Sequence, residues 1–494
     1  MSYLSLYFLI FNIIVLALYY IPTCLIKGKE TGKAFQQSVL LVASFVFYYM
    51  NMKLPVEGIL FLSTVLFSYC FGRVLEHLNT NSDMIWFKRI TLTLALMICA
   101  TPLLTIKIIP WFPTLQNSFG SSIIVPLGIS FYTLQIVSYL CDCFSGKTKA
   151  EKNIFKYTLY VSFFPQIVQG PIPRYAQLSK ELNKEHPFHL SNLTRGIQLI
   201  IWGCFLKLMI ADKVATPVNM IFNNAEQYTG AYVLIAGVLY SIQLYTDFYS
   251  CVTLCQGVAN LFGIQIEDNF KRPYLALSIQ DFWRRWHISL SSWFRDYIYI
   301  SLGGSRKGRL RTYGNILIVF LISGLWHGEG YTFLIWGLMH GLYQIVGKIT
   351  TPIRNKAYSL LNINEETEGY RILKRIGTFF WVTIAWIVFR ANNLATAIQM
   401  FRNLFADFNP WVLFGKARFS YGLDIHEWFL LIFALLVLIF VSIYQEKGLK
   451  LREIFARQNL IIRWAVYLLA ICSIWVFGTY GFGYNAADFI YGGF

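Results

Sequence analysis

Charged residues are scarce in this sequence. Asp, Glu, Lys and Arg make up only 14% of its 494 residues, whereas a soluble protein normally holds about 25%. In contrast, 56% of the residues are hydrophobic and 18% are aromatic. The chain therefore lacks the polar surface that an ordinary soluble enzyme needs. Its apolar residues form continuous runs and do not alternate with polar ones, which excludes an outer-membrane barrel.

Paired cysteine motifs are also absent. The nine cysteines lie in or beside apolar segments, and none has the C-x-x-C spacing of a zinc site. Thiols in such surroundings behave as small apolar packing residues. We therefore expect neither a disulfide nor a bound metal ion.

Several apolar runs are long enough to cross a bilayer, which takes about 20 helical residues. The first run has no basic residue before it and no small-residue cleavage motif, which favours a retained helix over a removed signal peptide. Shorter runs in the middle of the chain, interrupted by Gly and Pro, indicate re-entrant or interfacial helices. The pattern predicts an all-α polytopic integral membrane protein with about a dozen spans or half-spans. The clearest runs are 3–26, 34–50, 55–72, 90–106, 428–444 and 461–478.

The few charges are mainly positive, and the formal net charge is +17. In a soluble protein this excess would suggest a nucleic-acid partner. Here the basic residues cluster between apolar runs, which is typical of membrane-protein loops that face the cytoplasm and anionic lipids. We therefore expect membrane lipids, and no nucleic acid, around this chain.

The organisation predicts one integral domain over residues 1–494, because no polar segment is long enough to bury a core of its own. Helices through about residue 110 precede a central functional block at about 122–345. A polar loop at 355–375 then leads to closing helices at about 376–494.

Ionisable residues occur inside apolar stretches of the central block, where a charge is costly unless it faces a cavity or a partner. Lys207 and Asp212 stand near the end of such a stretch and are interpreted as snorkelling or capping residues. Asp247 has apolar sequence on both sides, which favours a cavity or a partner. Asp142 is the fourth residue of this kind.

The segment from Asp281 to Tyr299 has the periodicity of a two-faced helix. It is too polar to span the membrane and too aromatic for water, so we expect it at the level of the lipid headgroups. Its arginines would then hold it at the surface and meet an anionic substrate. The aromatic face comprises Trp283, Trp286, Leu290, Trp293, Phe294 and Tyr297, and the polar face comprises Arg284, His287, Ser291 and Arg295.

Two of the seven histidines are the main candidates for chemistry. His327, in "SGLWHGEGYTF", ends an apolar stretch that glycines interrupt, so its imidazole is expected to be buried and neutral. Such an imidazole is a suitable general base, although a packing role is the common alternative. His287 lies forty residues earlier on the polar face described above. Two histidines without further ligands make zinc an unsuitable occupant.

The remaining five histidines are less informative. His340, in "LIWGLMHGLYQ", has glycines within one helical turn and is interpreted as a packing or supporting group. The others stand in polar, loop-like contexts and are predicted to be exposed and uninvolved in chemistry. They are His77, His186, His189 and His426.

Four stretches in a fixed order resemble the membrane-bound O-acyltransferase family, in the branch of the alginate O-acetyltransferase membrane subunit. An ordered set of motifs is far more specific than one short pattern. The resemblance is close over roughly 120–345 and extends to the rest of the chain by hydropathy. The stretches are "PLGISFYTLQIVSY" (126–139), "FFPQIVQGPIPRY" (163–175), "NFKRPYLALSIQDFWRRWHISLSSWFRDYIYISLGG" (269–304) and "SGLWHGEGYTFLIWGLMHG" (323–341).

The resemblance implies a fold of roughly 11–13 transmembrane or re-entrant helices around a tunnel, with interfacial amphipathic helices. It implies that His327 is the catalytic histidine and that His287 occupies the second signature position. Further candidates for substrate contact or tunnel lining are Trp286, Ser291, Arg284, Arg295, Asp296, Trp326, Asp247, Gln243 and Gln169.

The resemblance also implies substrates and partners. Acetyl-CoA would be the acyl donor on the cytoplasmic side of a bacterial cell membrane, and no bound cofactor is implied. An exported or cell-surface polysaccharide would be the final acceptor, and an extracytoplasmic protein of the SGNH-esterase type would complete the transfer.

The sequence departs from this branch at three places. Ser301 stands where relatives usually have Pro, and Thr253 replaces the second acidic residue of the family pattern around Asp247. Gly492 and Gly493 replace Phe-Gln near the C-terminus. All three departures leave both histidines intact.

The residues favour a thioester reaction in which His327 takes the proton of the attacking hydroxyl and His287 donates to the developing oxyanion. A site shielded from water would limit hydrolysis. Other functions stay open at this point: a transporter or flippase of a cell-envelope precursor, a scaffold for polysaccharide export, and transfer of D-alanyl or lipid acyl groups by the same fold.

Overall fold

The computed structural model describes residues 3–26, 28–79, 84–112, 114, 116–117, 124–413 and 422–480. These residues form helices and connecting turns, and no strand occurs among them. Seven of the helices are long and apolar enough to cross a membrane. The predicted class, an all-α polytopic membrane protein, is therefore confirmed. The count of 11–13 spans and the tunnel stay predictions, because several other helices are shorter or more polar.

The first four helices cover most of the first four apolar runs. Each buries one side against the rest of the protein, as Tyr19, Phe47 and Phe61 show, and leaves large apolar residues such as Leu6 exposed. A helix with an exposed apolar face is stable only in lipid or against a partner. The helices are α1 (Leu6–Leu25), α2 (Lys29–Asn51), α3 (Pro55–Leu78) and α4 (Ile85–Ile108).

The central block is made of shorter helices around one long, buried helix. A π-helical turn, Phe205–Ala211, joins two of them and contains Lys207; such turns are rare and occur often at functional sites. The helices are α5 (Ile129–Phe144), α6 (Ile154–Ser162), α7 (Tyr175–Leu182), α8 (Leu190–Cys204), α9 (Asp212–Asn223) and the long α10 (Ala231–Leu261).

The segment from Asp281 to Tyr299 is not one continuous helix, so that prediction was wrong. It consists of α11 (Ile279–Arg285), α12 (Ile288–Phe294) and a π-helical turn at Arg295–Tyr299. The break falls at His287, whose φ of 43° is left-handed. A side chain with a Cβ adopts this conformation only at a cost, so tertiary contacts must hold it there.

The aromatic side of this segment also differs from its prediction. Trp286, Trp293 and Phe294 are buried within the protein and do not form a face at the level of the lipid headgroups. The ring of Trp286 lies 5.2 Å from that of Trp386 and 5.1 Å from that of Phe270. Of the four residues on the predicted polar face, Arg284 and Arg295 are exposed, as expected. His287 is buried and Ser291 is half-buried.

Two helices, α13 (Arg309–His327) and α14 (Tyr331–Leu360), form a tight hairpin. A Cβ at Gly337 would lie 2.3 Å from the carbonyl oxygen of Phe320, and one at Gly324 would lie 2.4 Å from that of Phe333. The two backbones therefore approach each other where only glycine fits, a packing mode common between membrane helices. This hairpin places His327 at its turn.

The closing helices begin earlier than predicted. The polar loop expected at 355–375 is shorter, because α14 continues to Leu360 and the next helix starts at Glu368. The predicted departure at Gly492 and Gly493 lies outside the described residues. The helices are α15 (Glu368–Arg390), α16 (Leu394–Ala406), α17 (Ile425–Glu446), α18 (Leu451–Ala456) and α19 (Leu460–Phe477).

Candidate active site

His327 is the last residue of α13 and is only 2% exposed. Aromatic rings surround its imidazole: the ring centroid of Trp336 lies 5.1 Å away and that of Phe389 lies 5.5 Å away. Trp336 belongs to α14 and Phe389 to α15, so three helices meet at this histidine. The imidazole therefore sits in an enclosed, largely apolar environment, as its sequence context predicted.

His287 is 1% exposed and stands at the start of α12. Asn269 holds the backbone that follows it: the amide of Ile288 donates to the Asn269 carbonyl at 3.0 Å, and the amide of Ser289 donates to the Asn269 Oδ1 at 2.8 Å. The ring of Phe248 on α10 makes an edge contact with the imidazole at 4.7 Å. These contacts account for the unusual backbone conformation of His287.

Trp326 lies close to both histidines. Its ring centroid is 6.2 Å from that of His287 and 4.9 Å from that of His327. The indole Nε1 donates to the carbonyl of Ser130 at 3.4 Å, and the ring packs edge-on against Phe131 at 5.9 Å. The first turn of α5 thus positions the indole, and the fold brings together two histidines that are forty residues apart.

Lys107 is a residue of this site that sequence reasoning missed. It is on α4 and is buried, and it acts electrostatically on His327, as does His287. Its position near the end of an apolar run suggests an ordinary snorkelling lysine. The signal that could have pointed to the site is its isolation, since Lys107 is the sole charged residue between Arg89 and Asp142.

His340 extends the aromatic cluster. The indole Nε1 of Trp283 donates to its Nδ1 at 3.2 Å. In a neutral imidazole this leaves the proton on Nε2. The ring of Trp336 lies 5.2 Å from His340 and 5.1 Å from His327, so one indole packs against both histidines. This geometry fits the packing or supporting role expected for His340.

Lys207, Asp212 and Asp247 form a buried ion cluster. The Lys207 Nζ lies 2.6 Å from the Asp247 Oδ1 and 2.8 Å from the Asp212 Oδ1. The side chain of Lys207 is 2% exposed, so the prediction that Lys207 snorkels or caps was wrong. Asp212 stands in the first turn of α9, and its carboxylate binds Lys207. The expectation that Asp247 faces a partner is confirmed. Since Asp247 precedes Phe248, the cluster also anchors the ring that contacts His287.

Arg295 and Asp296 lie at the end of the same segment, where the protein surface begins. The Arg295 Nε is 2.9 Å from the Asp296 Oδ1, and Arg174 binds the other carboxylate oxygen at 3.1 Å. The guanidinium of Arg174 also covers the ring of Tyr297 at 4.5 Å. Asp142 accepts a hydrogen bond from the Tyr297 hydroxyl at 2.9 Å. This group forms a polar network at the edge of the site.

Among the other candidates, Ser291 has a structural hydrogen bond, whereas two glutamines have unpaired side-chain atoms among the described residues. Ser291 donates to the carbonyl of Trp286 at 3.2 Å and thus stabilises the break beside His287. Gln243 and Gln169 are both buried, and neither the Oε1 of Gln243 nor the side-chain amide of Gln169 has a hydrogen-bond partner among the described residues.

His186 is not exposed, contrary to its prediction. Its amide donates to the Gln36 Oε1 at 3.1 Å, and its Nε2 lies 2.9 Å from the carbonyl of Glu181. Burial lowers the pKa of this imidazole, and His186 has a structural role in fastening the connection between α7 and α8 to α2.

Comparison with known proteins gives consistent matches. The profile of the membrane-bound O-acyltransferase family matches residues 42–360. A Pseudomonas fluorescens protein named probable alginate O-acetylase is 31% identical over 412 residues, which cover 83% of this chain and 76% of that protein. The peptidoglycan O-acetyltransferase of Helicobacter pylori is 31% identical over 442 residues, or 82% of this chain and 81% of that protein.

A more distant match concerns another acyl group. The teichoic acid D-alanyltransferase of Bacillus subtilis is 30% identical over 274 residues, which cover 53% of this chain and 68% of that protein.

Proposed function

Because this chain belongs to the membrane-bound O-acyltransferase family and is an O-acyltransferase of the membrane, we propose that it transfers acetyl groups from cytoplasmic acetyl-CoA for the O-acetylation of an exported or cell-surface polysaccharide. The motif resemblance that suggested the family is confirmed by the profile match. The O-acetylase names of relatives that match over most of the chain support acetyl as the acyl group.

One observation carries this proposal: the Trp326 indole lies close to both His287 and His327 within a buried aromatic site. Acyl transfer needs a base for the hydroxyl, a donor for the oxyanion and protection from water. The enclosed histidine pair can supply the first two, and the rings of Trp326, Trp336 and Phe389 can supply the third.

In the proposed reaction His327 is the general base. It accepts the proton of the attacking hydroxyl as the oxygen forms a bond to the thioester carbonyl carbon. His287 donates a hydrogen bond to the oxyanion that develops on the carbonyl oxygen. Collapse of this intermediate breaks the carbon–sulfur bond, and the CoA sulfur leaves and takes a proton. A positioned base of this kind contributes about 10²–10⁴-fold to the rate.

We further place the protein in the bacterial cytoplasmic membrane with an extracytoplasmic partner of the SGNH-esterase type. Acetyl-CoA is a cytoplasmic compound, and the names of the relatives specify alginate and peptidoglycan. We propose an acceptor polymer of this class on the outer side of the membrane. The hydroxyl at His327 then belongs to the polymer or to this partner. The basic loops between the apolar runs are typical of segments retained on the cytoplasmic side.

The test is acetyl transfer from labelled acetyl-CoA in membranes that contain the full chain and a candidate partner. We expect label on polymer or partner with the wild type, and none above background with His327→Ala at equal protein level. His426→Ala is the matched control, because His426 is exposed on α17. Full activity of His327→Ala would refute its role as the base.

D-alanyl transfer is the second candidate, since a D-alanyltransferase matches about half of this chain. The same membranes distinguish it when they receive labelled D-alanine with its activating proteins in place of acetyl-CoA. If label is transferred from D-alanine and not from acetyl-CoA, the acyl group in the proposal is D-alanyl in place of acetyl, and the proposed roles of His327 and His287 are unchanged. Label from neither donor in folded wild-type protein would favour a transporter of an envelope precursor.

A further inference from the structure

Two glutamines near the candidate active site have side chains with no hydrogen-bond partner in the part of the chain that the structure describes. Gln166 is 3% exposed and Gln169 is 2% exposed, and the Nε2 and Oε1 atoms of both side chains are unpaired among the described residues. A carboxamide offers two donor hydrogens and an acceptor oxygen. Most buried polar groups in proteins are hydrogen-bonded, because an unpaired one loses its hydration without compensation. Two adjacent, wholly unpaired amides therefore need an explanation.

The turn that carries these glutamines packs against the elements that hold both histidines. Gly128, with φ of 71°, is the residue before α5. It approaches the glutamine turn so closely that a Cβ at this position would lie 2.2 Å from the carbonyl oxygen of Ile167. The first turn of α5 receives the Trp326 hydrogen bond at Ser130. On the other side, the amide of Ile172 donates to the Ser289 Oγ at 3.0 Å, just after His287. The glutamine turn thus lies between the first turns of α5 and α12.

The chemistry of this turn is neutral. The stretch "FFPQIVQGPIP", residues 163–173, contains no ionisable side chain. Carboxamides donate and accept hydrogen bonds equally, so they match groups that do the same and are uncharged. Secondary amides and hydroxyls are such groups, whereas a phosphate or carboxylate would prefer cationic partners.

We infer that Gln166 and Gln169 form a neutral hydrogen-bonding site for the amide or hydroxyl groups of a substrate of the proposed acyl transfer. The inference rests on the proposed function for the identity of the substrates. Amides occur along the pantetheine arm of an acyl-CoA, and hydroxyls occur on a polysaccharide acceptor. Gln166 was not among the residues predicted from the sequence, whereas Gln169 was a lining candidate.

Gln36 provides the matched control. It is also a buried glutamine, but its Nε2 donates to the His186 carbonyl at 2.8 Å and its Oε1 accepts from the His186 amide at 3.1 Å. A glutamine with a structural role therefore looks different in this protein. Gln36→Met removes both bonds and should lower the melting temperature, and it should leave substrate binding unchanged.

The experiment measures thermal unfolding of the purified full chain in detergent, with acetyl-pantetheine or an alginate oligosaccharide as the probe. We expect one probe to stabilise the wild type. Gln166→Met/Gln169→Met should melt at the same or a higher temperature without a probe, since methionine has a similar shape and no unpaired amide. Its binding of the probe should be weaker by roughly tenfold or more, as expected for several lost hydrogen bonds.

Each outcome decides the inference. Loss of the acetyl-pantetheine shift in the double variant assigns the site to the donor, and loss of the oligosaccharide shift assigns it to the acceptor. An unchanged shift in the double variant, or no shift with either probe in the wild type, overturns the inference. A lower melting temperature with unchanged binding, as for Gln36→Met, would show that the glutamines are structural. Binding in this assay does not require His327, so His327→Ala separates a failure of this site from a failure of the proposed function.

Discussion

The Nζ of Lys207 lies 2.6 Å from the Oδ1 of Asp247, with both side chains almost fully shielded from solvent. The lysine belongs to a π-helical turn and the aspartate to the middle of α10. Asp212 completes the cluster at 2.8 Å from the same Nζ. Buried charges of this kind are tolerated only when paired. The cluster therefore fixes α10, and with it Phe248, against the neighbouring helices.

We predict that Lys207→Met strongly destabilises the protein. The substitution leaves two carboxylates in the interior without a cation, and breaking a buried pair costs about 3–5 kcal/mol. Thermal unfolding in detergent measures the effect, with Lys348→Met on the exposed face of α14 as the control. In a double-mutant cycle, Lys207→Met with Asp247→Asn should be less destabilised than the sum of the single variants. Additive effects would show that the two charges are not coupled.

The sequence alone was sufficient to predict the membrane class and the burial of His327. Long apolar runs leave few alternatives to a membrane helix, and the glycines after His327 mark the end of α13. It was not sufficient to predict the break at His287. The segment from Asp281 to Tyr299 has no Gly or Pro at the break and keeps helical periodicity through it. The left-handed residue is held by tertiary contacts, from Asn269 and Phe248, which no local pattern encodes.

The pairing of Lys207 with Asp247 was equally hidden. The two residues are forty positions apart. Lys207 taken singly is compatible with a helix end, and the apolar sequence around Asp247 indicates a partner without identifying it. Only the packing of the π-helical turn against α10 brings the charges together. The same limit applies to Lys107, because a lysine near the end of an apolar run normally reaches the headgroups.

His287→Gly is predicted to preserve the fold and impair transfer. Glycine adopts the left-handed backbone of this position without the cost of about 1–2 kcal/mol that a Cβ imposes. The imidazole that would stabilise the oxyanion is lost, and removal of one such donor lowers the rate by about 10²–10³-fold. Labelled acetyl transfer and thermal unfolding measured on the same preparation check both parts.

His287→Val is the comparison for this position. It also removes the imidazole, but a β-branched residue is strongly disfavoured in the left-handed region. We expect it to lose both stability and activity. Wild-type transfer by His287→Gly would rule out a direct role of the imidazole.

Gly337→Ala should loosen the α13–α14 hairpin and reduce activity. The new Cβ would lie 2.3 Å from the Phe320 carbonyl oxygen, so the helices must move apart, at a cost of about 1–3 kcal/mol for overpacking. Because His327 ends α13, the shift also displaces the candidate base. Gly347→Ala on the same helix meets nothing within 4 Å and should be neutral or slightly stabilising. Equal melting temperatures for the two variants would contradict this account.

Two adjacent arginines allow the roles of anchoring and substrate contact to be separated. Arg285 lies 2.8 Å from the Glu446 Oε1 and 3.0 Å from the Asp281 Oδ2, and Arg272 binds the same Glu446 at 2.6 Å. The end of α17 is thus fastened to the segment that carries His287. Arg284 is exposed and makes no ion pair among the described residues, which leaves it available to an anionic donor.

Arg285→Gln is therefore predicted to lower stability by about 1–2 kcal/mol, a value reduced from that of a fully buried ion pair because these groups are partly exposed. The loss should be smaller at high salt, since salt already screens the pair in the wild type. Arg284→Gln should leave the melting temperature unchanged and raise the KM for acetyl-CoA, because the proposed anionic donor would lose one cationic partner. Thermal unfolding and transfer kinetics are measured for both variants. An unchanged KM in Arg284→Gln would mean that the exposed arginine does not meet the donor, and a stability loss would show that it has a structural role instead.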